Sequence, residues 1–435
     1  MRRKPRAPFS NLNFENWQNL ILVAVFFLYL SQFGFLFVKV NFLMGYDYLA
    51  FWSAGKIADD QGYTKIYDLE NLRNIQIHIL EDQGILQRGV ESNFSPFPAP
   101  IFSFFVLPFQ LLSRFNPKQS YWIWTSFNLA VLIGYLLFYI RKTLHVNSPL
   151  FSAKRTILLM LLSFPVILSL NEGQVEVFLV VCMGEFIRNG LNKKPFPSGL
   201  WLGGLLLKPQ LLIIIIPLLI IQRNWKVLMG FFASSGLIIG SSFILSGYQG
   251  LKSLIDLWTQ FGSGIATSSP ESMINWRMVA VNLDSPFGWT VAIMGMILTL
   301  LAVYFLVRNN YSYGTPQWVM IMLGIFSATL AITWHSHLHM AVVLIPFLIY
   351  GSLSQMLSKK VVFLWAIVTP VILIILTTIA LIVFFITKMK INDFGSLLLG
   401  VSGFFSNLAI LGSVLHYFYE KNKTSGFPNP TESTG

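Results

Sequence analysis

Residues 17–38 read WQNLILVAVFFLYLSQFGFLFV, and residues 45–68 read GYDYLAFWSAGKIADDQGYTKIYD. The first stretch carries no charged side chain. At ~1.5 Å per residue it is long enough to cross a hydrocarbon layer of ~30 Å as a helix. The second is polar and acidic: Asp47, Asp59, Asp60 and Asp68 stand among Tyr46, Tyr48, Phe51, Trp52, Tyr63 and Tyr67. Carboxylates set among aromatic rings beside a membrane boundary read either as an interfacial belt or as a site for a polar substrate.

The rest of the chain repeats the first stretch. Of its 435 residues, 54% are hydrophobic and only 11% are charged, against ~25% charged in a soluble domain. Lipid satisfies no backbone polar group, so apolar runs of this length must be helices packed together. The expected class is an all-α polytopic membrane bundle of about twelve transmembrane helices, within a range of about ten to thirteen. Residues 1–435 form one integral-membrane domain on this reading. The net charge of +12 falls in short basic clusters between apolar runs. That is the positive-inside pattern and not a nucleic-acid surface. The single cysteine, Cys182, lies inside an apolar run, so no disulfide framework is expected.

In chain order, Trp17 to Val38 reads as a retained first span, with Arg2, Arg3, Lys4 and Arg6 holding residues 1–16 in the cytoplasm. Residues 39–93 form a first outer loop. Within it Leu49, Ala50, Trp52, Ser53 and Ile57 are spaced for one face of a helix lying along the membrane surface. Phe94 to Leu112 is apolar but carries Pro96, Pro98, Pro100 and Pro108, and reads as a broken or re-entrant span. Tyr121 to Ile140 is a plain span. Thr156 to Leu170 and Val175 to Ile187 form a hairpin tipped by Asn171-Glu172-Gly173-Gln174. Leu200 to Ile221 is either one span with a buried lysine or two half-length helices meeting at Lys208-Pro209-Gln210. A second outer loop covers residues 247–288, with Asp256, Glu271, Trp276, Arg277 and Asp284. Five further apolar runs end before a cytoplasmic tail, residues 420–435, whose composition predicts disorder.

Several polar groups stand against this apolar background. Asp47 reads as a general base or as the cap of the helix that follows it. Lys208 reads as a cation for a lipid-linked phosphate or as a lysine snorkelling at a short helix end. Asn275-Trp276-Arg277 offers an aromatic platform beside a guanidinium, suited to a sugar ring and a phosphate, or to interfacial anchoring. In Trp334-His335-Ser336-His337-Leu338-His339, His335 and His339 are one turn apart if the segment is helical, which makes them a candidate metal pair. No P-loop, dinucleotide fingerprint, serine nucleophile elbow or cysteine pair is present.

The order of these motifs resembles glycosyltransferase family 87, the polyprenol-phosphate-mannose-dependent mannosyltransferase-like membrane proteins of the C-type fold. The matching pieces begin with Asp47-Tyr48, Phe51-Trp52, Ala54-Gly55, Gly62 and Tyr67-Asp68. They continue with Phe94-Ser95-Pro96-Phe97, Gly173-Gln174-Val175 and Leu207-Lys208-Pro209-Gln210, and close with Asn275-Trp276-Arg277 and Thr333-Trp334-His335 with His337. After Gly-Gln-Val the family often has Asn, where this chain has Glu176.

The resemblance implies a transferase that moves a hexose, mannose as first expectation, from a polyprenyl-phosphate donor to a lipid or glycan hydroxyl. It implies inversion, an extracytoplasmic active face and residence in the cell membrane. Asp47 takes the catalytic position. Lys208 and Arg277 are the candidates for the donor phosphate, and Tyr48, Trp52, Asp68, Gln174, Trp276, His335 and His337 for the substrates. No cofactor is called for with certainty; a divalent metal would have Asp47, Glu172, His335 and His337 to draw on if they converge. The alternative class is a transporter or flippase for lipid-linked sugars, which would work without Asp47. A third is a structural or assembly protein of the membrane.

Overall fold

A computed structural model of the chain describes residues 14–39, 46–82, 94–143, 150–263, 270–283, 286–308, 311–387 and 394–424. The basic start with Arg2, Arg3, Lys4 and Arg6, the position of Asp284, and residues 425–435 of the expected tail lie outside them.

The described residues form helices, with no strand among them. The chain runs through α1 (Phe14–Lys39), α2 (Tyr46–Asp60) and α3 (Leu69–Asp82) to an extended strip over residues 94–102. Next come α4 (Leu107–Leu112), α5 (Pro117–Thr143), α6 (Leu150–Leu161), α7 (Phe164–Asn171) and α8 (Glu176–Leu191). Two short helices, α9 (Pro195–Leu202) and α10 (Ile215–Ile221), flank Lys208. The chain continues with α11 (Trp225–Ser263), α12 (Trp276–Asn282), α13 (Pro286–Arg308) and α14 (Pro316–Ile332). It closes with α15 (Ile345–Leu353), α16 (Lys359–Thr387) and α17 (Phe394–Thr424).

Among the described residues, five helices are long and apolar enough to cross a membrane: Pro117–Thr143, Trp225–Gln260, Pro286–Arg308, Lys359–Leu376 and Leu397–Lys423. The pair α6 and α7, bent by 49°, makes a sixth if it is one span. The other apolar helices are shorter, at 10–17 residues. The all-α polytopic class therefore stands, while the expected dozen crossings divide into full-length helices and half-length pieces.

Proline explains two of the breaks. Pro96, Pro98 and Pro100 each remove a backbone donor and disfavour helix in the residue before. Helix begins only at Ser103, which leaves an apolar segment of Ser103–Leu112, too short to cross. Likewise Pro209 drives Lys208 to φ −141°, ψ 75°, so 200–221 is two half-length pieces meeting at the lysine. Elsewhere the chain is more helical than expected. The second loop opens as a continuation of α11 past a kink at Gly247 (φ 64°, ψ −173°), and α17 runs on to Thr424, past the expected start of the tail.

The core is centred on α14, buried at every residue from Trp318 to Ala331. Beside it α17 and α16 run antiparallel. Trp365 Nε1 donates to Asn407 Oδ1 at 3.0 Å, Ser402 pairs with Thr369 at 3.2 Å, and Ser327 on α14 donates to the Asn407 carbonyl at 2.8 Å. At the α9–α11 crossing, Gly199 and Gly203 face Gly230 and Ser234, and a Cβ on Gly199 would strike the Val227 backbone. Small residues four apart admit such close approach between apolar helices.

The acidic stretch behaves differently from expectation. As α2 it is a helix, but Tyr48 to Gly55, with Ile57 and Ala58, is buried. Burial thus reaches both faces of the helix, and Asp59 and Asp60 at its C-terminal end are exposed. Gly55 brings it against α4, where a Cβ would collide with the Phe109 carbonyl, and Phe51 stacks on Phe109 with centroids 4.9 Å apart.

Candidate active site

The site is assembled where the N-terminus of α2 meets the turn between α7 and α8. Tyr48 N donates to the Glu172 carbonyl at 2.9 Å. Gly173 closes the turn at φ 64°, and a Cβ there would sit 2.6 Å from the Tyr48 Cβ. Only glycine meets both conditions at no steric cost. From α5, Trp124 Nε1 donates to the Gly173 carbonyl at 2.9 Å and Tyr121 OH to the Asn171 carbonyl at 2.8 Å. The turn thus delivers Gln174 to Asp47: the Gln174 amide donates to Asp47 Oδ2.

Asp47 opens onto a cavity of about 440 Å³, together with Ala50 and Phe51 from the same helix. Positions 47, 50 and 51 share a helical face. Tyr48 and Trp52 are turned the other way, Tyr48 OH bonding Ser120 and Trp52 Nε1 donating to the Phe115 carbonyl at 3.3 Å. Neither lines the cavity. Asp68 is also elsewhere. It caps α3, accepting from Glu70 N at 3.1 Å and Asn71 N at 3.3 Å.

The cation of the site is Lys208, held by the break at Pro209. Its Nζ lies 3.2 Å from Oε1 of Glu176, and His339 Nε2 lies 3.4 Å from the same oxygen. Glu176 is fully buried at the first turn of α8. Burial holds the Asp47 carboxyl above the usual carboxylate range; the Lys208 charge and the Gln174 hydrogen bond pull it down, and the Glu176 charge adds a smaller upward push.

His335 and His337 line the same cavity. Their segment is not helical until Leu338, so His335 and His339 do not form a pair one helical turn apart. Instead the rings follow one another, His335 edge-on to His337 at 4.8 Å and His337 stacked on His339 at 5.7 Å. Burial, with His337, Lys208 and Arg277 nearby, holds the His335 imidazole well below its usual range. The histidine segment is secured by Ile274, Asn275 and Arg277. Asn275 Nδ2 donates to the Thr333 carbonyl at 2.8 Å, and Ile274 N to the Ser336 carbonyl at 2.9 Å. The Arg277 guanidinium lies 4.4 Å over the Trp334 ring. Trp276 Nε1 donates to Thr299 at 3.0 Å. Arg277 therefore borders the histidine segment, Trp276 packs on Thr299 of α13 and Phe404 of α17 instead, and neither lines the cavity.

The opposite wall is the strip Phe97-Pro98-Ala99-Pro100. Fully buried Gln76 clamps it, Nε2 donating to the Phe97 carbonyl and Oε1 accepting from Phe97 N, both at 2.8 Å. On the far side Trp258 Nε1 donates to the Pro100 carbonyl at 2.9 Å. Gln76 carried no signal in the sequence beyond being a polar residue on a mixed helix.

Asp47, Glu172, His335 and His337, the residues named for a divalent metal, do line one cavity. Among the described residues, however, no group of three or more His, Cys, Asp or Glu side chains is gathered closely enough to hold a metal ion.

No curated protein matches the chain. The family model of glycosyltransferase family 87 matches residues 99–333. That range takes in Gln174, Glu176, Lys208 and Arg277, and leaves Asp47 and the three histidines outside. As the match covers more than half of the 435 residues, the chain belongs to glycosyltransferase family 87 and is a membrane glycosyltransferase.

Proposed function

We propose that the chain transfers a hexose, mannose as first candidate, from a polyprenyl-phosphate donor to a hydroxyl of a lipid or glycan at the extracytoplasmic face of the cell membrane. What supports this reading is one observation: a carboxylate, Asp47, and an ammonium, Lys208, open onto the same cavity. The cavity's size falls within the range of ~300–1,000 Å³ common for small-molecule sites.

In the proposed step the acceptor oxygen attacks the anomeric carbon from the face opposite the phosphate. The bond from that carbon to the phosphate oxygen breaks, and the polyprenyl phosphate leaves with the electron pair. Asp47 takes the hydroxyl proton, and the anomeric centre inverts. Asp47 suits a base because its raised affinity for a proton brings it nearer the working pH. Lys208 faces the negative charge that develops on the leaving phosphate. Arg277 serves by holding the histidine segment through Trp334. His335 lines the cavity and, held neutral by burial and its cationic neighbours, presents an uncharged imidazole to sugar hydroxyls.

The test is sugar transfer by purified full-length protein in lipid, offered a panel of polyprenyl-phosphate sugars and a membrane-lipid extract as acceptor. Transfer from one such donor with inverted linkage supports the reading. Movement of lipid-linked sugar across the bilayer with no new glycosidic bond would replace it with the transporter reading.

A further inference from the structure

A second cavity, of about 720 Å³, lies between the connection from α15 to α16 and the last turns of α17. Gly400 of α17 lines the first cavity and His416 of the same helix lines the second. Sixteen residues of helix put them about 24 Å apart along the axis. The two cavities therefore serve opposite ends of the bundle.

The second cavity is built as an amphiphile's site. Its floor is apolar, with Met356, Leu357, Val361 and Ala409. Its rim is polar, with Ser358, Ser413, His416 and Lys421. Lys359 and Lys360 follow Ser358 directly, and Lys423 lies two residues beyond Lys421. Glu420 is the one acid on the lining and Lys421 the one lysine, and Lys359, Lys360 and Lys423 stand within three residues of the lining in the sequence. Lysines clustered where helices leave the hydrocarbon attract the phosphates of anionic lipids.

We propose that this groove binds an anionic phospholipid, with an acyl chain over Met356, Leu357 and Val361 and the phosphate beside Lys421 and Ser413. The site is independent of the sugar-transfer chemistry at the other end.

The experiment is native mass spectrometry of the full chain released from detergent containing equal amounts of phosphatidylglycerol and phosphatidylcholine. The wild type is expected to retain phosphatidylglycerol at least about fivefold over phosphatidylcholine. Gly412→Phe is the blocking variant, because a Cβ at Gly412 meets no atom within 4 Å and the new ring enters the groove. It is expected to lose the retained lipid while keeping the thermal unfolding midpoint of the wild type. Lys421→Gln is expected to keep a lipid but lose the preference for the anionic one. Equal retention of the two lipids by the wild type overturns the proposal. So does undiminished retention by Gly412→Phe, or displacement of the lipid by millimolar inorganic phosphate, which would mark a plain anion site.

Discussion

Gln174 donates its side-chain amide to Asp47 Oδ2 across a turn whose own backbone, Glu172 O, receives Tyr48 N at 2.9 Å. One turn thus fixes both the helix that carries the carboxylate and the group that aims it. A hydrogen bond to a charged group contributes ~1.5–3 kcal/mol. Gln174→Leu is expected to lower kcat by roughly ten- to a hundredfold with the fold kept. Steady-state kinetics beside a circular dichroism spectrum checks this.

The pH profile follows from the same carboxylate. A base must be deprotonated, so activity falls as pH drops through its pKa. Burial raises that pKa, and the acid limb of kcat/KM should lie above the ordinary carboxylate range near ~4. The Lys208 charge lowers it, so Lys208→Met should move the limb further up. The Glu176 charge raises it, so Glu176→Gln should move the limb down. Limbs that stay put in both variants would remove Asp47 as the titrating group.

Half-buried Lys208 also pairs with fully buried Glu176, at 3.2 Å. Removing one partner of such a pair strands the other and costs ~3–5 kcal/mol. Lys208→Met is expected to be destabilised on that scale, and Lys208→Met with Glu176→Gln to recover most of it. Donor affinity should stay weak in both, since neither presents a cation to the phosphate. Thermal unfolding and donor KM, measured together, separate the two roles.

Gln76 holds the proline strip by two hydrogen bonds to Phe97. Gln76→Leu leaves a buried N–H and C=O without those partners, each costing ~1–3 kcal/mol. The expected outcome is a lower unfolding midpoint and a raised KM, with kcat changed less. Equal loss in kcat and kcat/KM would instead place the strip in the chemical step.

Much of this was legible in the residues. Long apolar runs, basic clusters between them and an acidic aromatic stretch point to the membrane bundle. Proline marks where helices break, as at Pro96–Pro100 and Pro209. What a linear reading misses is direction. Tyr48 and Trp52 adjoin Asp47 in sequence, yet a helix advances ~100° per residue and turns them onto α4 and α5. Positions 50 and 51 share the carboxylate's face instead. Asp68, placed among the substrate candidates, caps α3 instead, accepting from the Glu70 and Asn71 amides. Glu176 departs from the residue often found in the family. Its burial against Lys208 and His339 depends on three distant segments meeting, which no local pattern encodes.

The most direct measurement is sugar transfer by reconstituted wild type and Asp47→Asn, side by side, with a polyprenyl-phosphate mannose donor and a lipid-extract acceptor. Loss of a general base costs ~10²–10⁴-fold. The expected result is transfer by the wild type and a drop of that size in Asp47→Asn, with donor binding retained. Transfer at the wild-type rate by Asp47→Asn would contradict the central claim and send the search for the base elsewhere along the cavity wall.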